Sequence, residues 1–325
     1  MAFKKINEYH NFSTDSLVRK PGKVLPFITL LASILLILIF VVFFTVKIVR
    51  SKLENSLTIT ALSEKWKEYD YESCYNISRQ ILEDKPFNNT ALTYHGYSSF
   101  YLAVSQMDTS LAQGYLDEAI NSIRLALYNG RKSLKPQLEY MLGKAYFYKN
   151  TITSYYYSDL AIKYLNMARE DNYQADDIAQ YLGLSYANLN KPMESISAFT
   201  EALVVNESSS LLLSIAEQYY KINQNSVAKQ YLYRIKKESS DDFLVLKSMN
   251  LLGTIYIDEK NYSDAKKEFD SILEKNPNSA DAYYGLGVIY EKQGDLVKAR
   301  AEWRKALKYQ INHAPALAKI ASYGK

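Results

Sequence analysis

Charged residues are absent from Leu25 to Val46, "LPFITLLASILLILIFVVFFTV", and return on both sides of it. These 22 residues would span about 33 Å as a helix, against a hydrocarbon core of roughly 30 Å. The pattern predicts one transmembrane helix over 25–46, with Pro26 at its entry, where a missing N–H costs nothing. A short polar, basic tail (1–24) precedes it and a helical connector (47–54) follows. The run passes into "KIVRSKLENS" with no small-residue cleavage site, so it reads as an uncleaved anchor rather than a signal peptide.

From residue 55 the pattern becomes one of paired helical segments. "LLGTIYIDEKNYSDAKKEF" places Gly253 inside a strong helix, at a cost of about 1 kcal/mol relative to alanine. Moved on by 34 residues, "LLGTIY" meets "GLGVIY", so that Leu252, Gly253 and Tyr256 become Leu286, Gly287 and Tyr290. The following halves align too: Ala265, Phe269, Ile272 and Leu273 become Ala299, Trp303, Ala306 and Leu307, while Pro277 becomes Ile311. Upstream, the glycine position recurs at Gly96, Gly143, Gly183 and Ala216, with successive spacings of 47, 40, 33, 37 and 34 up to Gly287. The two longest steps call for insertions, the longer one read as a stretched connection between the helices carrying Gly96 and Ala119.

These residues resemble the tetratricopeptide repeat, W-x2-L-G-x2-Y…A-x3-F…P over 34 residues. The resemblance implies an all-α fold: a right-handed α-solenoid of about seven helix pairs, preceded by the one transmembrane helix. The expected units are 55–88, 89–135, 136–175, 176–208, 209–245, 246–279 and 280–313, with a capping helix over 314–325. Where two helices cross closest the side chains must be small, which sets Gly253 against the row of Ala265, with Tyr256 and Phe269 filling the space a turn further on. A single pair cannot bury its whole apolar face, and stacking completes the core.

Composition sharpens this picture. Hydrophobic residues make up 48% of the 325-residue chain, with 30 Tyr but only 11 Gly and 7 Pro, which favours long helices over a turn-rich β fold. The net charge of +4 is uneven. Residues 1–52 hold eight Lys and Arg against Glu8 and Asp15, leaving the rest of the chain at −2, a poor match for nucleic acid. Basic residues flank the apolar run about equally, with Arg19, Lys20 and Lys23 before it and Lys47, Arg50 and Lys52 after it.

No chemistry emerges. His10, His95 and His313 show no metal-ligand spacing, and His95 is expected to pack beside Gly96. The single cysteine, Cys74, occupies the small slot of Ala265 and reads as a buried, inert thiol. No nucleophile elbow, phosphate loop or zinc-protease motif is present, so neither catalysis nor a cofactor or metal is expected. What remains is surface. In this repeat family the first helices line a groove that takes peptides. Here that row comprises Tyr140, Lys144 and Tyr148, Gln180, Leu184 and Asn188, Leu213 and Glu217, Asn250 and Thr254, and Tyr284 and Val288. The insertion around Tyr155, Tyr156 and Tyr157 is the other candidate contact surface, because three successive tyrosines cannot all face inward.

The expected function is that of a membrane-anchored adaptor binding a protein or peptide in the groove, with no nucleic acid partner. It resembles proteins of bacterial envelope assembly or secretion, placed in the inner membrane with the body exported. An import-receptor-like protein facing the cytosol and a purely structural spacer are the alternatives.

Overall fold

The computed structural model describes residues 24–56, 58–153 and 155–323, and the tail expected over 1–24 lies outside them apart from its last residue. Among the described residues the chain forms sixteen α-helices, one 3-10 turn and no strand. It divides into two compact units, one ending at Ala61 and the other running from Leu62.

The first unit is dominated by α1 (Val24–Ser56). Its stretch Leu30–Val49 is long and apolar enough to cross a membrane, and none of it is buried within the structure. The Ser33 and Thr45 hydroxyls donate to the carbonyls of Leu30 and Val42 at 2.8 and 2.9 Å, so these polar groups are satisfied inside the helix. The apolar run and the connector form one continuous helix.

The second unit is a stack of antiparallel helix pairs. They are α2 (Ile59–Lys67) with α3 (Tyr71–Asp84), α4 (Asn89–Ser105) with α5 (Thr109–Asn129), and α6 (Lys135–Ile152) with α7 (Ser158–Glu170). Then come α8 (Ile178–Asn188) with α9 (Pro192–Val205), α10 (Ser209–Lys221) with α11 (Asn225–Glu238), α12 (Asp242–Asp258) with α13 (Tyr262–Lys275), and α14 (Ala280–Lys292) with α15 (Leu296–Tyr309). A single helix, α16 (Ala314–Ser322), closes the stack. First helices touch one another directly, α4 with α6 with α8 and α10 with α12 with α14; otherwise each second helix packs on the next first helix. The first helices therefore crowd one side of the stack. The core is continuous between pairs, as where Leu212 and Ala216 of α10 meet Leu232 and Ile235 of α11 and Leu252 and Ile255 of α12.

Five of the turns inside the pairs share one backbone solution. Tyr69, Asn190, Asn223, Lys260 and Gly294 all have positive φ, between 54° and 87°. At four of them the next N–H reaches back to the repeat's aromatic position, Lys191 to Tyr186, Gln224 to Tyr219, Asn261 to Tyr256 and Asp295 to Tyr290, at 2.8–2.9 Å, and after Tyr69 that of Asp70 reaches the Lys65 carbonyl at 3.1 Å. This left-handed cap satisfies the orphan carbonyls of the first helix. The chain then starts the second helix at once, with Asp70, Asn261 and Asp295 accepting from the N–H groups of Ser73, Asp264 and Lys298.

Two expectations are corrected. The extra length of the pair carrying Gly96 is not in its connection, since α4 ends at Ser105 and α5 begins at Thr109; it lies in the helices, of 17 and 21 residues, where later pairs mostly use 13 or 14. And the glycine row faces the large row of the second helix more closely than the small one. A Cβ on Gly253 would lie 2.6 Å from Phe269 Cζ, on Gly183 2.3 Å from Phe199 Cδ1, on Gly143 2.7 Å from Leu165 Cγ and on Gly287 2.4 Å from Trp303 Nε1. The glycine makes room for a ring or a branched chain that fills the crossing. The small row supports it from the side, as Ser195 does by donating to the Gly183 carbonyl at 2.8 Å.

Candidate partner-binding groove

On each first helix the positions three before, one after and five after the glycine row share a face. In α12 and α14 these are Asn250, Thr254 and Asp258, and Tyr284, Val288 and Lys292. The fold brings all six to one recess of about 320 Å³, closed at one end by His313 and Pro315 beside α16. Gly285 has no side chain to fill the recess, so its floor reaches the Phe269 ring.

The polar groups in this recess are partly committed. Thr254 Oγ1 donates to the Asn250 carbonyl at 3.0 Å, and Asp258 accepts from the Tyr220 hydroxyl at 2.8 Å. His313 caps α16: its Nδ1 accepts the Ala316 N–H at 3.2 Å. Its proton is therefore on Nε2, which donates to Asp281 Oδ1 at 3.1 Å. Lys247 stands 4.0 Å from the same carboxylate. Among the described residues the Asn250 amide makes no hydrogen bond and the Lys292 ammonium no ion pair. An apolar floor with one free amide, a tyrosine and an unpaired cation suits an extended segment carrying both backbone and side-chain polar groups.

The other expected residues do not join this recess. Tyr140 is buried, and its hydroxyl donates to Asp177 at 2.7 Å. Lys144 pairs with the same carboxylate at 2.9 Å and lies over the rings of Tyr140, Tyr181 and Phe100. The Tyr148 and Tyr181 hydroxyls bond each other at 3.1 Å. These three therefore pack α6 against α8 rather than line an open surface, because the turn before α8 supplies an acid at the right height. Leu184 and Leu213 are half-buried against neighbouring helices, while Gln180 and Asn188 are exposed. Glu217 is open to solvent yet surrounded by protein, and burial raises its pKa, partly offset by Lys221 and Lys247.

In the insertion, Tyr155 and Tyr156 are exposed, whereas Tyr157 turns in and packs beside Tyr146, with ring centroids 6.0 Å apart. His95 is buried, stacked on Tyr75, with Nδ1 3.0 Å from Ser78 Oγ; burial lowers its pKa. Cys74 is fully buried, its thiol 3.6 Å from the Leu62 carbonyl, and burial pushes its pKa up to about 11. Among the described residues no group of His, Cys, Asp and Glu has the arrangement of a metal site.

Two features of the first-helix face escaped the reading of the sequence. The same offsets counted from Gly96 give Thr93, Tyr97 and Tyr101, a row the pattern already contained. His313 left no such signal, since it enters the recess only because the capping helix folds back over α14.

A family model described as the tetratricopeptide repeat protein 21 C-terminal ARM domain matches residues 159–321, half of the chain. Among curated proteins, the uncharacterized protein ycf37 of Pyropia yezoensis is 32% identical over 84 residues, which are 26% of this chain and 47% of that protein. The chain spans less than half the length of the curated relatives it matches. Among solved structures, the C-terminal part of a TPR repeat-containing protein from Cytophaga hutchinsonii matches with a TM-score of 0.57 at 13% identity, over 80% of this chain and 98% of that one. A tetratricopeptide repeat protein from Parabacteroides merdae matches with a TM-score of 0.52 at 17% identity, over 82% and 97%. These two likenesses establish the repeat-solenoid fold.

Proposed function

We propose that this chain, which belongs to the tetratricopeptide repeat protein 21 C-terminal ARM domain family, holds a protein or peptide partner on the face of its first helices while α1 anchors it in a membrane. The observation that carries the reading is the recess between α12, α14 and α16. It gathers Asn250, Thr254, Tyr284 and Val288 from two repeats, and leaves an amide and an ammonium without internal partners among the described residues. Nothing in the recess provides a nucleophile beside a base, so binding rather than catalysis is the chemistry its residues support. The setting we favour is a bacterial inner membrane with the body exported, in envelope assembly or secretion. The equal basic flanks of the apolar run favour a second arrangement just as well, with the body facing the cytosol.

The test is crosslinking in intact cells with the full chain, followed by identification of the proteins recovered. Tyr284→Lys combined with Val288→Glu should remove the specific partner while leaving the helical circular dichroism unchanged. Equal recovery with and without these changes would exclude this recess as the contact surface, and recovery of no specific partner would leave a spacer. Protease added after permeabilising the outer layer should digest the body, and protection would assign it to the cytosol. Extraction of the chain by alkaline carbonate would remove the anchor from the reading.

A further inference from the structure

A second pocket lies at the other end of the stack, where α2, α4, the end of α5 and the start of α6 meet. Its volume is about 280 Å³. That is near the lower limit of ligand pockets, which run from about 300 to 1,000 Å³, so it accommodates a side chain rather than a cofactor. Trp66 and Tyr94 form its aromatic walls. Trp66 is itself held by a ring of tyrosines, with centroids 5.4–5.9 Å from those of Tyr71, Tyr94, Tyr97 and Tyr101. Two lining residues, Asn89 and Tyr97, each keep a side-chain oxygen that is buried without a hydrogen-bond partner. Burying such an atom unpaired costs about 1–3 kcal/mol, and Tyr97 as a whole is only 5% exposed. Arg131 lines the mouth, exposed and without an ion pair among the described residues, and Lys132 follows it, exposed and equally unpaired. No acidic residue lines the pocket.

We infer that this pocket takes a tyrosine side chain from an extended partner segment in which an acidic residue lies next to that tyrosine. The aromatic walls set the ring. The oxygens of Asn89 and Tyr97 offer hydrogen bonds to its polar tip, and Arg131 faces the neighbouring carboxylate. The inference rests on the reading of the first-helix face as a protein-binding face, but it concerns a different set of residues from the recess at α12 and α14.

Trp66 is one of two tryptophans in the chain, and the other, Trp303, is fully buried in α15. Its emission therefore reports on the pocket, while Trp303 shares a cluster with Tyr284 and reports on the other recess, so the variants below assign the signal. The probe is the peptide acetyl-Ser-Glu-Tyr-Glu-Ser-amide, titrated into the full chain in lipid nanodiscs and read by tryptophan emission. A saturable change is expected. Replacing the probe tyrosine by alanine should weaken it at least about tenfold, as for a central aromatic anchor, and replacing its glutamates by lysine about three- to fivefold, as for rim charges. Arg131→Glu, a surface change, should reverse the preference so that the lysine probe binds better. Tyr97→Phe removes an unsatisfied hydroxyl and so leaves the fold intact; it should reduce the discrimination between the tyrosine probe and its phenylalanine counterpart, the rest resting on Asn89.

No saturable response, an equal response to the alanine probe, or an unchanged charge preference in Arg131→Glu would each overturn the inference. Loss of the response in the Tyr284→Lys, Val288→Glu chain, with Arg131→Glu and Tyr97→Phe silent, would place the probe in the other recess; that result would refute this pocket and support the groove. A response that survives Tyr284→Lys with Val288→Glu and whose charge preference reverses in Arg131→Glu supports the pocket whatever the crosslinking shows.

Discussion

Phe269 gives the sharpest test of how the stack is built. Its ring is 1% exposed and lies between two glycines on different first helices. A Cβ on Gly253 would lie 2.6, 2.9 and 3.0 Å from three ring atoms, and a Cβ on Gly285 2.3, 2.4 and 2.6 Å from the same ring. A ring pressed from one side could retreat, but this one is held from both. Gly→Ala in an open helix would stabilise by about 1 kcal/mol through propensity, whereas overpacking costs about 1–3 kcal/mol. Gly253→Ala and Gly285→Ala should therefore each destabilise by up to about 2 kcal/mol. Phe269→Leu alone should also destabilise, but combined with either alanine it should cost less than the sum, because the smaller side chain relieves the clash. The assay is chemical denaturation followed by circular dichroism, with hydrogen exchange of α12–α14 to localise the effect, since a repeat array need not unfold all at once. If either alanine raises the midpoint by its propensity gain, or the double changes are additive, the two-sided clamp is wrong.

Three further outcomes follow from particular contacts. Lys260→Gly removes the strain of a lysine at φ 61°, about 1–2 kcal/mol, less the roughly 0.4–1 kcal/mol that glycine's freer unfolded chain gives back. The denaturation midpoint should rise modestly, and a fall would mean that the Lys260 side chain does more than cap. Asp177→Ala strands the Tyr140 hydroxyl and the Lys144 ammonium, and should cost about 1–3 kcal/mol; an unchanged midpoint and unchanged exchange in α6 and α8 would show the cluster to be idle. His95 is buried with a lowered pKa, so the unfolded chain takes up its proton near the usual value of about 6.5 while the folded chain does not. Stability should therefore be lost as pH falls below about 6.5, and His95→Gln should flatten that part of the profile measured by thermal unfolding. A slope equal to that of the unsubstituted chain would remove His95 as its source.

Much of the fold was legible because a repeat writes its packing at fixed offsets along the chain. Gly253, Gly287, Phe269 and Trp303 sit where the helix crossing demands them, and the same spacing marks Gly183 with Phe199. The exact partner was less legible: the spacing alone set Gly253 against Ala265, and the backbone shows it closer to Phe269. Nor did the spacing show where the extra residues of the second pair go, because lengthening both helices and lengthening a loop give the same period.

The amino-acid sequence by itself determined the apolar run of α1, the helix pairs and the residues that face the core. These depend on local periodicity and on contacts within one pair. Tertiary structure alone decided which outward residues remain free. The partner of an outward side chain lies one repeat away, as with Tyr140 and Lys144 on Asp177, or Tyr220 on Asp258, and its reach depends on the stagger between neighbouring first helices. At α6 the neighbour supplies an acid and the surface closes into packing. At α12 and α14 Gly285 leaves a gap and the Asn250 amide stays unpaired, so the same three offsets that are sealed in one repeat become a groove in another.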